Sequence, residues 1–78
     1  MVYCDFVSKE DGKVLYSLGG SPKGLTGGLL IDINNKSFDI VKEPRNTKVY
    51  VRHITAMIAR AWDDLSKGTC PKKLSYEI

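Results

Sequence analysis

Val2, Cys4 and Phe6 alternate with Tyr3, Asp5 and Val7, and Val14, Tyr16 and Leu18 alternate with Lys13, Leu15 and Ser17. Alternation of period two puts one set of side chains on each face of a strand. The two runs therefore predict a hairpin across Lys9-Glu10-Asp11-Gly12-Lys13. A three-residue loop closed by Gly12 in the left-handed region pairs Lys9 with Lys13, Phe6 with Tyr16 and Cys4 with Leu18. A two-residue Asp11-Gly12 turn shifts that register by one and sets Asp5 opposite Leu18 on the core face. The three-residue loop is thus the expected one.

A second hairpin follows the same logic. Leu29, Ile31 and Ile33 share a face and are followed by Phe38 and Ile40 across a turn at Asn35-Lys36. Asn tolerates the positive φ of such turns. This register pairs Ile33 with Phe38 and Ile31 with Ile40, and Pro44 ends the strand because it has no N–H to donate.

The pattern then changes period. Val51, Ile54, Met57, Ile58, Ala61 and Leu65 recur at helical spacing, opposite Arg52, Arg60, Asp63, Asp64 and Lys67. Asn46 or Thr47 is the expected cap, and Gly68 with Pro71 the stop, giving a helix over about 47–67. Val49-Tyr50-Val51 also suits a short strand, so the first turn is the weakest part of that assignment. Asp63–Lys67 and Arg60–Asp64 are i,i+4 pairs worth only about 0.2–0.5 kcal/mol each. Burial of the apolar stripe must hold the helix. Leu74, Tyr76 and Ile78 then alternate in a short closing strand.

The order ββββαβ predicts an α+β fold: a mainly antiparallel sheet of two hairpins plus a short C-terminal strand, with one helix on one face. Residues 1–78 form a single small domain. Phe6, Tyr16, Ile31, Ile33, Phe38, Ile40, Ile54, Ile58, Ala61 and Leu65 are the expected core. One helix leaves the other sheet face open, so Tyr3, Val7, Leu15, Leu30 and Val41 there are candidate interface residues. A core this small also favours association. A homodimer or protein partner through that second face is the expectation.

Composition adds limits. A hydrophobic fraction of 42% and a charged fraction of 27% are those of a globular domain rather than a disordered or membrane-spanning chain. The start, Met1 to Phe6, has no basic and apolar leader pattern, and no apolar run reaches the ~20 residues needed to cross a bilayer. A cytoplasmic setting without membrane is expected. In such a setting Cys4 and Cys70 are expected to be free thiols, with Cys4 a small core residue, and a Cys4–Cys70 bridge is the alternative, since sequence does not place their Cα atoms within the ~7 Å it needs. With His53 they do not make up a four-ligand zinc set. No metal or other cofactor is expected.

Chemistry is sparse. The run Gly19-Gly20-Ser21-Pro22-Lys23-Gly24-Leu25-Thr26-Gly27-Gly28 has the glycines of a phosphate loop, but Leu25 stands where the lysine is needed and a strand follows instead of a helix. It is read as a structural crossing between hairpins. Asp63 and Asp64 point about 100° apart, and His53 lies on the polar side of the helix without an acid partner. No catalytic residue is assigned. Trp62, flanked by Thr55, Ala59 and Ser66, roofs the rim of the core or borders a docking groove, and the roof is favoured.

The net charge of +3 and a pI near 9.0 allow an acidic partner. Lys42, Arg45, Lys48 and Arg52 gather before and within the start of the helix, and Lys23 sits at the tip of the glycine loop. The function expected from these features is a non-catalytic protein-interaction or assembly module. A nucleic-acid-binding accessory protein using the basic segment 42–52 is the alternative.

Overall fold

A computed structural model describes residues 1–45 and 48–77. Strands β1 (Val2–Glu10), β2 (Lys13–Gly19), β3 (Gly27–Asp32) and β4 (Ser37–Lys42) precede helix α1 (Val51–Ser66) and strand β5 (Lys73–Tyr76). The sheet is antiparallel throughout, in the order β4-β3-β2-β1-β5. Consecutive hairpins make the meander from β1 to β4. The chain then passes from the β4 edge to α1, whose first turn already lies against β5, and adds β5 beside β1. This is the expected α+β architecture.

The first hairpin differs from expectation in an instructive way. Glu10 pairs with Lys13, and Asp11 and Gly12 both have positive φ, 51° and 77°. That is the two-residue turn of primed type, which matches the twist of the flanking strands. Cys4 still pairs with Leu18 and Phe6 with Tyr16, because Val7 is inserted as a bulge between Phe6 and Ser8. The bulge absorbs the one-residue slip that otherwise turns Asp5 inward. Val7, the extra residue, is 55% exposed.

The second hairpin keeps its faces and changes its partners. Ile31 pairs with Phe38 and Leu29 with Ile40, so the register is two residues from the expected one. The loop is longer because Asp32 reorganises it. Its carboxylate accepts hydrogen bonds from Asn35 N at 3.1 Å and Asn35 Nδ2 at 2.8 Å. These bonds hold the Asp32 carboxyl below the usual range. Ile33 leaves the ladder and donates its N–H to Gly12 O. A second irregularity between Gly28 and Leu29 leaves Val41 as the extra residue of β4.

The glycine run is a packing device. A Cβ on Gly19 meets the backbone of Gly24 and Leu25, so the loop folds onto itself only without one. Gly24 N bonds Ser21 O, and Thr26 N bonds Gly24 O. Thr26 Oγ1 then accepts from Arg45 N at 2.6 Å, tying the loop to the segment after β4.

The helix starts at Val51, later than the 47 expected, with Tyr50 as the N-cap residue in extended conformation and no side-chain cap. Asn46 and Thr47, the expected caps, lie outside the described residues. Tyr50 O accepts from His53 N and Ile54 N. The other end is closed as expected. Gly68, at φ 85°, donates to Leu65 O, and Thr69 N reaches back to Asp64 O. Those two bonds form a Schellman motif.

The core is centred on β1, β2, β3 and α1. Val2, Cys4, Val14, Tyr16, Leu18, Leu29, Ile31, Ile54, Met57 and Leu65 are fully buried, with Val49 and Leu74 beside them. Of the expected core, Tyr16, Ile31, Ile54 and Leu65 are confirmed. Ile33, Phe38, Ile40, Ile58 and Ala61 are only half-buried, because they face the β4 side that the helix does not fully cover. Phe6 is 39% exposed and packs edge-on to Tyr16 at 5.9 Å. Val51, expected on the stripe, is exposed. Ile78 lies outside the described residues.

Replacing Ile54 by Ala should therefore cost about 2–5 kcal/mol through lost burial and a residual cavity. Ile58→Ala should cost visibly less, since its side chain is only partly buried at the rim of the core. Thermal denaturation of both variants checks the helix phase; equal losses mean that it is wrong.

Candidate functional site

Two surfaces of the fold carry unusual side chains. The first is at the start of α1, where the chain enters the helix in extended form. That extended entry buries Val49 and leaves Tyr50 45% exposed. Lys48 Nζ lies 5.7 Å from the centre of the Tyr50 ring and the Arg52 guanidinium 5.4 Å from it. The ring's electron-rich face attracts both cations.

His53 joins the same cluster, and here expectation fails. It is buried, with 8% exposure, and not on the polar side of the helix. The reason is β5: its Tyr76 ring stacks on His53 at 5.3 Å and 25°, while Tyr50 meets His53 edge-on at 5.4 Å. His53 Nδ1 has no hydrogen-bond partner. Arg60 completes the group, its guanidinium 4.7 Å from the Tyr76 ring. Among the described residues it forms no ion pair with Asp64; the ion pair seen is Lys73 with Asp5 at 3.0 Å.

The stretch of chain that supplies this cluster is basic. Between residues 42 and 60 five basic residues, Lys42, Arg45, Lys48, Arg52 and Arg60, face one acid, Glu43. That segment is locally +4 in a chain of +3, so the remainder is close to neutral and slightly acidic. No acid lies in the first turn of α1 and no base in the last. Arg52 and Lys48 thus stand at the positive end of the helix dipole, and Asp63 and Asp64 stand near its negative end.

The other basic candidates are exposed but separate. Arg45 is held through its backbone at Thr26, and Lys23 lies in the same glycine loop. Lys42 ends β4 on the outer face, opposite Gly28. Sequence reasoning named Lys48 and Arg52, with His53 beside them, but missed the burial of His53 and the parts played by Arg60 and Tyr76. The i,i+3 spacing of Tyr50 and His53 was a usable signal. Tyr76 reaches the cluster only through the pairing of β5 with β1 and has no local signature.

The second surface is the outer sheet face. Leu15 and Leu30 are directly paired across β2 and β3 at its centre. Ser8 and Asp39 flank them in the same row. Val7 and Val41 project from the two bulges, 55% and 56% exposed. Tyr3 is half-buried near the β1–β5 edge, opposite Gly19 and Ser75. A shallow depression of about 340 Å³ opens beside the leucine pair, otherwise lined by Ser8, Glu10, Asp11 and Lys13. The apolar residues are thus a small central group inside polar rows.

Trp62 both roofs and borders. It packs half-buried against the core, and with Phe38, Thr55, Ile58, Ala59 and Lys36 it lines a groove of about 300 Å³ between α1 and β4. Ser66 is not part of that lining.

Cys4 and Cys70 are free thiols, and burial pushes Cys4 up to about 12, so it stays protonated and unreactive. Burial likewise raises Tyr16, whose hydroxyl donates to Pro71 O at 2.8 Å. Among the described residues no three of His, Cys, Asp and Glu gather to hold a metal ion. No helix among them is long and apolar enough to cross a membrane. Comparison with known protein families, curated proteins and solved structures finds no match.

His53 supplies the prediction. Burial, then the chain's amino terminus and Arg52, lower its pKa below the usual 6.5. A base whose folded pKa is depressed contributes stability above its unfolded pKa and loses it as pH falls through the folded value. The melting temperature should therefore fall as pH drops from about 7 to below 6.5. His53→Phe, which keeps a ring against Tyr76 and removes the titration, should flatten that dependence. Identical pH profiles for both proteins rule out His53 as the source.

Proposed function

We infer that this chain is a small non-catalytic binding module whose basic–aromatic surface holds a nucleic acid by its phosphates. The observation that carries the reading is the convergence of Lys48 and Arg52 on the exposed Tyr50 ring. Arg60 and Tyr76 extend that surface along the helix. Cations interleaved with aromatic rings are the combination that phosphate and base recognition requires. The charge arrangement of α1 adds support. Cations at a helix start oppose the dipole and cost about 0.3–1 kcal/mol each, so they are not placed for the helix's own stability. A phosphate bound there reverses the sign of that interaction.

Three phosphate contacts to a single strand correspond to a slope of about −2 in log affinity against log salt. Fluorescence anisotropy of a labelled oligonucleotide should show this slope. The double variant Lys48→Ala, Arg52→Ala should weaken binding similarly on unrelated sequences and flatten the slope. No binding at about 50 mM salt rejects the reading.

A second reading rests on the Leu15–Leu30 pair with Val7 and Val41: self-association through the outer sheet face. A second copy of the chain is the favoured occupant because the face carries both signs, with Asp5, Asp32 and Asp39 among Lys13, Lys42 and Lys73. Sedimentation equilibrium at micromolar concentration should then show a dimer that Leu30→Asp dissociates without loss of helix content. A strict monomer removes this reading and leaves the first intact.

A further inference from the structure

Resting on the nucleic-acid reading above, we propose that the ligand is bound as a single strand, with one unstacked base laid on the Tyr50 ring between Lys48 and Arg52. Within the cluster the rings divide into one that is closed and one that is open. Tyr76 is half-buried, stacked on His53 at 25° and covered by Arg60 at 4.7 Å. His53 itself is 8% exposed. Tyr50 is 45% exposed and touches His53 only edge-on, at 73° between planes. It is the platform of the group. Its two cations lie over the ring, 5.7 and 5.4 Å from its centre, on long flexible side chains that swing aside toward the phosphates when a base takes the face.

The helix is unsuited to the alternative, a duplex. Reading a major groove takes an exposed helical face with long polar side chains that reach base edges. Beyond Arg52 the exposed positions of α1 are Thr55, Ala59, Arg60, Asp63, Asp64 and Ser66; the one long cation among them, Arg60, is engaged over the Tyr76 ring at 4.7 Å, and the two carboxylates repel a phosphate backbone. The Thr55 hydroxyl is likewise engaged, since Thr55 Oγ1 donates to Val51 O at 2.9 Å. In a duplex the bases are also stacked inside, where the Tyr50 ring cannot meet a base face without unstacking it. A polyanion without bases engages Lys48 and Arg52 and leaves the ring idle.

These differences set the experiment. A mixed-sequence single-stranded oligonucleotide, its duplex and an inorganic polyphosphate of similar charge are titrated into the whole chain at low salt, and circular dichroism checks that each variant is folded. The single strand should bind most tightly. Tyr50→Ala should weaken it about 5- to 150-fold, the range of one base–aromatic stack, while Tyr50→Phe retains binding because it keeps the ring. Polyphosphate affinity should not change in either variant. Equal binding of single strand and duplex, or equal loss of single strand and polyphosphate in Tyr50→Ala, overturns the platform and leaves the phosphate-binding reading standing. Absence of binding to all three ligands overturns both.

Discussion

One helix about 10 Å across has to cover a sheet whose outer strands stand about 19 Å apart. Most of the structure follows from that mismatch. The helix seals the β1, β2 and β3 part of the inner face, where Val2, Cys4, Val14, Tyr16, Leu29 and Ile31 are fully buried. It leaves the β4 side half covered, so Phe38, Ile40 and Ile58 line a rim and Trp62 borders a groove. The crossing from one sheet edge to the other also fixes where the helix begins and ends. Its first turn is carried toward β5, and there Tyr76 closes over His53.

This geometry explains which parts of the fold were legible in the sequence. Alternation along β1, β2, β3 and β4 identified every strand and its inward side, because a face is set by local periodicity alone. Registers were less legible, since they depend on how turns and bulges divide the same residues. At the first hairpin a tight Asp11-Gly12 turn and the Val7 bulge each shift the register by one, and their shifts cancel. Reading either one alone gives the wrong loop. At the second, the Asp32 carboxylate takes Asn35 as its partner and lengthens the loop, a side-chain event that backbone pattern does not reveal.

The site was harder to read for a different reason. Helical spacing correctly collected Ile54, Met57 and Leu65, but it assigned His53 to solvent because the stripe was centred without knowledge of β5. A four-residue strand at the far end of the chain decides the environment of a residue in the first turn of α1. Arg60 and Tyr76 are brought together in the same way. The glycine run, the most conspicuous local feature, has the plainer role of letting backbone pack against backbone. Conspicuous composition marked the structure, and unremarkable residues at long sequence separation made the candidate site.

The two ends of α1 are finished in opposite ways. The C-terminal end is finished with a Schellman motif, a left-handed Gly68, and a hydroxyl bond from Thr69 to Asp64 O. The N-terminal end has no side-chain cap and no acid in its first turn, although either is worth about 1 kcal/mol or somewhat less. Cation–π contacts of Lys48 and Arg52 with Tyr50 offset part of that deficit, at about 0.5–1 kcal/mol for exposed pairs. They do so by holding two positive charges close to a helix end that already repels them. An anion seated between those charges removes the repulsion and satisfies the end of the dipole at once. The weakest terminus of the helix is therefore the place where an anion, once bound, would add most to folding.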